Sequence, residues 1–146
     1  WSTFQNAAYA FSFRFPPGST VEGQSDTGGR LYLPFTPGTN LLKKVLDVSV
    51  VEGVNPCKSP GTNSIAISEN VSFNGHQLLK ETESEAITSH RADYTAYSTS
   101  KGTACISFTF WLWSVVPEVM ETPPPRFDPA AETAVYSAIL STYADR

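Results

Sequence analysis

The stretch that most constrains this chain runs from residue 90 to 113, HRADYTAYSTSKGTACISFTFWLW, where one period-two alternation holds on both sides of Ser100-Lys101-Gly102. Such a pattern predicts a β-hairpin, with Gly102 as the left-handed residue of a three-residue loop. Register follows from that loop: Thr99 opposite Thr103, Tyr97 opposite Cys105, Thr95 opposite Ser107, Asp93 opposite Thr109 and Arg91 opposite Trp111. One face then collects Ala92, Tyr94 and Ala96 with Ile106, Phe108, Phe110 and Leu112, an apolar surface that has to be buried. The other mixes hydroxyls with aromatics, and from it Arg91, Tyr97, Thr109, Trp111 and Trp113 are the candidate binding residues. Two indoles on a face rich in hydroxyls offer apolar area and a donor, as at binding hot spots and sugar platforms. The competing reading is a covered face, in which Arg91 over Trp111 is a structural cation-π contact.

At 146 residues the chain suits one domain, 1–146, able to bury a sizeable core without a metal. Charged residues are only 16% of it, so Ser, Thr, Asn and Gln dress the surface, which fits an exported protein better than a cytosolic one. The net charge of −4, without a basic run, argues against nucleic acid and anionic membranes as partners. No stretch approaches the ~18 to 20 apolar residues of a transmembrane span. The chain opens at Trp1, and we expect a processed or trimmed start of the kind left by a signal peptide or a lipid-bearing linker. The expected location is extracellular, periplasmic or anchored at the cell surface.

Cys57 and Cys105 are the only cysteines, without CxxC or Cys/His spacing for a metal. They are either two reduced core residues or a disulfide. The turn-rich VNPCKSPG setting of Cys57, where a buried thiol gains little, favours the disulfide.

Read in order, residues 1–8 look like a lead-in, and 9–116 build an antiparallel sheet. Tyr9, Phe11, Phe13 and Phe15 alternate onto one face of a strand that Pro16-Pro17-Gly18 ends. Strands are expected over 20–24, 30–35 and 41–51, the last with Leu46, Val48 and Val50 on one side. Residues 52–64 are a loop. Asn74-Gly75 predicts a type I′ hairpin that puts Val71, Phe73, His76 and Leu78 on one face. Glu81, Glu83 and Glu85 read as a solvated strand end or loop. A Pro-rich linker spans 117–127. Asp128 as N-cap and Pro129 at the first helical position then open a helix over 128–144, with Ala131, Ala134, Val135, Ala138, Ile139, Thr142 and Tyr143 as its buried stripe. The fold class is α+β: a twisted antiparallel sheet built from hairpins, with the C-terminal helix on one face.

Nothing in the chain supplies a catalytic pattern: GxSxG, HExxH, Walker and GxGxxG motifs are absent. His90 and Asp93, an odd separation apart on one strand, point to opposite faces and make no dyad. His76 beside Phe73 reads as a satisfied, partly buried histidine. We therefore expect no enzyme, no metal and no cofactor.

Two segments carry a resemblance. The opening Tyr9-Ala10-Phe11-Ser12-Phe13-Arg14-Phe15-Pro16-Pro17-Gly18 resembles the first strand of PsbP-like domains. The ending, Phe127-Asp128-Pro129 and a helix closing on Ile139-Leu140-Ser141-Thr142-Tyr143, is similar to theirs. The middle, with NPCKSP, FNGHQLLKE and DYTAYSTSKGTACISFTF, looks more like a group of exported bacterial domains. The resemblance implies a twisted antiparallel sheet with helices against it and a non-enzymatic accessory or binding module, and we expect the globular part of a lipoprotein as one form of such a module. It transfers no functional residue. This chain departs from the pattern in lacking a helical stripe between residues 52 and 90. A protein partner or a carbohydrate are the partner classes it leaves open. The alternatives to a binding module are a structural subunit of a surface assembly and, behind it, a small hydrolase without a recognisable motif.

Overall fold

The strand at the end of the aromatic stretch becomes the middle of a seven-stranded antiparallel sheet. The computed structural model describes residues 1–62 and 66–145. Its strands are β1 (Ser2–Asn6), β2 (Phe11–Phe15), β3 (Thr20–Ser25), β4 (Gly28–Tyr32), β5 (Leu41–Glu52), β6 (Ile67–Phe73), β7 (His76–Ile87), β8 (His90–Lys101), β9 (Ala104–Val115) and β10 (Ala144–Asp145), with α1 (Pro129–Leu140) before the last. The large sheet has the order β3-β4-β5-β9-β8-β7-β6, and a small one the order β1-β2-β10. Residues 1–8 are therefore no lead-in. β1 pairs along β2, Phe4 facing Phe13, and the sheet expected over 9–116 divides in two. The expected loop over 52–64 runs into residues 63 and 64, outside the described residues.

The alternation of β2 behaves as its sequence predicts: Phe11, Phe13 and Phe15 are buried on one face. They meet the large sheet and α1 in a single core. Phe13 sets its ring edge against Phe108 at 5.4 Å, and Phe110 stacks on Tyr136 at 4.0 Å. Small sheet and helix thus share the work of covering one face of the large sheet. Gly28, with φ of +142°, permits the close approach of β4 and β5, since a Cβ there would lie 1.9 Å from the Val48 carbonyl oxygen. Asn74 and Gly75, both at positive φ, make the expected type I′ turn, and Val71 and Phe73 share a face with Leu78 and His76.

The helix is shorter than the 128–144 expected, and its buried stripe differs. Asp128 caps it, accepting from the Ala130 N–H at 3.0 Å, with Pro129 following. The chain then turns through Ser141 and Thr142 and pairs as β10 against Ser12 and Phe11. Glu132, Tyr136, Ile139, Leu140 and Tyr143 are buried, while Ala131, Ala134 and Ala138 are exposed. Glu132 faces the sheet because β5 supplies a counter-ion. Lys44 Nζ donates to Glu132 Oε1 at 3.2 Å, with 5% and 6% of the two side chains exposed, and Glu132 Oε2 accepts from the Thr36 N–H. A charge hidden by pairing breaks an apolar stripe that is otherwise of ordinary helical spacing.

Two outcomes check this packing. Ile139→Ala, which empties a fully buried site between helix and sheet, lowers unfolding stability by about 2 to 4 kcal/mol in denaturant titration. Lys44→Ala, which strands a buried carboxylate, costs about 3 to 5 kcal/mol, and the double replacement Lys44→Met/Glu132→Leu recovers most of that loss.

Candidate binding groove

The second face of the large sheet is set by the β8–β9 register, which is not the one the alternation suggests. Lys101 pairs with Ala104, Ser98 with Ser107, Tyr97 with Phe108, Tyr94 with Trp111 and Arg91 with Ser114. The loop is two residues, Gly102 and Thr103, with Gly102 at φ +61°, as a type II′ turn requires. Losing one residue from the loop exchanges the faces of β8 relative to β9. The predicted binding set is thereby split. Thr109, Trp111 and Trp113 share a face with Ala92, Tyr94, Ala96 and Ser98. Arg91 and Tyr97 lie on the helix side.

Tyr97 is core: it sets its ring edge against Phe73 and Phe110, and burial pushes its phenol up to about 12, with the Glu69 charge adding to the rise. Arg91 bonds Asp93 through Nε at 2.9 Å and makes no cation-π contact with Trp111. Tyr94 lies against that indole instead, ring centres 4.7 Å apart.

Part of the second face is covered. Cys57 and Cys105 form a disulfide, Cα atoms 5.2 Å apart, which seats the loop after β5 on the sheet. Ser59, 1% exposed, continues the seat: its hydroxyl lies 2.6 Å from that of Thr109, and its N–H donates to Glu81 Oε1. Thr62 Oγ1 donates to Glu81 Oε2 at 2.8 Å. Glu81 is thus buried on β7 and holds the loop, where its acidic neighbourhood predicts a solvated strand end or loop. Among the described residues of this loop, Gly61 reaches the indole of Trp111, where a Cβ would approach Cζ2 to 3.3 Å.

Towards Trp113 the face carries a groove. Trp111 and Trp113 are half-buried and line an open groove of about 330 Å³ with Arg30, Lys43, Val45 and Asp47. β5 runs beside β9 so that Val45 pairs with Trp111 and Lys43 with Trp113, in a register that shifts only between Lys43 and Leu41. Trp113 is braced from behind by His90, stacked at 5.5 Å and 17°. Arg30, from β4, closes a bidentate pair on Asp47 at 2.7 and 2.9 Å, and that bond raises its guanidinium pKa further. Between Trp111 and the loop a second recess of about 240 Å³ touches Ser49 and Pro60. Trp111 Nε1, Tyr94 Oη and Ser49 Oγ are buried without a hydrogen-bond partner among the described residues. No group of three or more His, Cys, Asp or Glu stands at metal-binding spacing among the described residues, and no described helix is long and apolar enough to cross a membrane.

Arg30, Lys43, Val45 and Asp47 are not among the sequence-derived candidates. The one signal for them is parity: with Leu46, Val48 and Val50 on the core side of β5, Val45 and Asp47 have to face the other way. That β5 lies next to β9 has no local signature.

No protein-family model matches the chain, and no curated protein matches it by sequence. Among solved structures it is similar to a protein from Bacteroides thetaiotaomicron, with a TM-score of 0.62 and 13% identity over 99% of this chain and 48% of that one. It is also similar to the cyanobacterial PsbP (CyanoP) of Synechocystis, with a TM-score of 0.57 and 8% identity over 99% of this chain and 92% of that one. The chain therefore spans about half the length of the Bacteroides protein. The fold is PsbP-like, and identities this low speak to the fold alone.

The strap and the groove share Trp111, so the state of the disulfide is readable in its fluorescence. Closing a 48-residue separation stabilises the fold by about 4 kcal/mol in the chain-entropy model. Reduction is expected to lower the melting temperature and to raise acrylamide quenching of the indole emission, and Trp111→Phe removes most of that rise. Unchanged quenching on full reduction means that the loop does not shield Trp111.

Proposed function

We propose that this chain is a non-catalytic binding module that takes its ligand in the groove between Trp111, Trp113 and β5. The observation behind this reading is that two half-buried indoles stand at the wall of an open groove, with Arg30, Lys43, Val45 and Asp47 as its other lining. Tryptophan at such a place supplies large contact area at low entropy cost. Bracing by His90 and Tyr94 holds both rings in position before a ligand arrives, which lowers the cost of binding. The six lining side chains offer stacking, charge and hydrogen bonds, and none is a hydroxyl or thiol nucleophile. An oxidising compartment, extracellular or periplasmic, suits a protein whose second face is held by a disulfide.

The test is a screen of the oxidised chain and of Trp113→Ala, matched in melting temperature and near-ultraviolet circular dichroism, against glycan and peptide arrays. The expected result is a ligand class held by the parent chain, weakened at least tenfold by Trp113→Ala (about 1.4 kcal/mol) and recovered unchanged after incubation. Ligands held equally by both proteins overturn the groove as the contact surface. Steady turnover of the ligand overturns the non-catalytic reading.

A further inference from the structure

We infer that the groove takes a saccharide carrying an anionic substituent, with a pyranose ring against the indoles and its carboxylate or sulfate on Lys43. The inference rests on the binding-module reading and adds the ligand's chemistry to it.

Charge is the first argument. The chain carries a net −4, yet the groove is positive, because Arg30 and Asp47 neutralise one another and Lys43 remains. Lys43 is exposed, and its ammonium has no ion pair or hydrogen bond among the described residues. The unbroken register from Val45 to Lys43 sets it opposite Trp113, within the same groove and on the same face. An anion there meets a cation that the fold has not otherwise engaged.

The division of the walls is the second argument. One side is apolar: Val45 forms the floor and Trp111 and Trp113 the wall. The other is the Arg30–Asp47 fork, half and one-third exposed, which keeps guanidinium N–H donors and carboxylate lone pairs turned to solvent. A pyranose has that same division, a C–H face for an indole and a rim of hydroxyls that both donate and accept. A flat aromatic acid would satisfy the indoles and leave the fork unused, and an aliphatic chain would leave both the fork and Lys43 unused. At about 330 Å³ the groove is at the low end of small-molecule sites, roughly 300 to 1,000 Å³, which suits a short segment of a chain and not a bulky ligand.

The experiment is calorimetric titration of the oxidised full chain with tetragalacturonate, with a sulfated dextran oligosaccharide and with neutral maltotetraose, on the parent, Lys43→Gln, Lys43→Arg and Trp113→Ala proteins. Expected is binding of at least one anionic oligosaccharide, at least tenfold tighter than the neutral one and weakened by added salt. Lys43→Gln should erase that preference, Lys43→Arg should keep it, and Trp113→Ala should weaken anionic and neutral sugars alike. The two anionic arms show whether carboxylate or sulfate is preferred. Equal binding of the neutral sugar, or a preference that survives Lys43→Gln, overturns the anionic saccharide while leaving the groove as a binding surface. Binding of no saccharide, with array peptides lost on Trp113→Ala, does the same. Indifference of every ligand to Trp113→Ala removes the groove itself.

Discussion

A strand buried on both faces needs two covers, and β9 is such a strand. From Ala104 to Phe110 every residue is buried, although side chains alternate between the two sides of the sheet. An antiparallel sheet normally leaves one face to water. Here the chain supplies a helix and a three-stranded sheet to one side and a strapped loop to the other. The two covers are held differently. Helix and small sheet bury aromatic rings, the ordinary way to hide a sheet face, and add one buried ion pair, Lys44 with Glu132. The loop brings little apolar surface and is tied by the disulfide, by Ser59 on Thr109 and by Glu81. Where the ties end the groove begins, so the limit of the cover determines what part of the face can meet a ligand.

Double burial also explains what the residues of the central hairpin conceal. Register is strongly specified when one face is apolar and the other polar, because a slip by one residue then exposes the core. On β8 neither parity is polar throughout: Ala92, Tyr94 and Ala96 stand on one side, and Tyr97 between Thr95 and Thr99 on the other. Pattern alone cannot choose between them, and the decision falls to the turn, where Gly102 serves a two-residue loop as readily as a three-residue one. The assignment of Arg91 and Tyr97 to the tryptophan face fails on that single residue. Thr109, Trp111 and Trp113 share one strand, and their common face survives any error of pairing.

Elsewhere legibility follows how local the determinant is. The alternation of β2, the Asn74-Gly75 turn, the Asp128 cap and the class of fold are all written within a few residues, and the structure has them. The buried stripe of α1 is misread because Ala131, Ala134 and Ala138 count as apolar yet have too little surface to demand burial, while Glu132 counts as polar yet is neutralised by a lysine 88 residues away in sequence. Glu81 is misread for the same reason, since its partners arrive with a loop fastened by Cys57. The groove walls contributed by β4 and β5 depend on strand order, a property of the whole sheet that no window of residues contains.

The small sheet joins the two ends of the chain through β2. Ser2 pairs with Phe15 and Asp145 with Phe11, so β1 and β10 run side by side with β2 between them, and their outer ends leave in opposite directions. Tension applied between the ends therefore acts along the strands and loads their hydrogen bonds together in shear, instead of opening them one at a time. The weaker clasp is β10, which pairs two residues with β2 where β1 pairs five. Once it parts, the pull passes to α1 and the rings it buries. Even full extension stops short, because the Cys57–Cys105 bond withholds a 48-residue separation, roughly 160 Å of contour at 3.3 to 3.6 Å per residue, from any stretch that leaves covalent bonds intact.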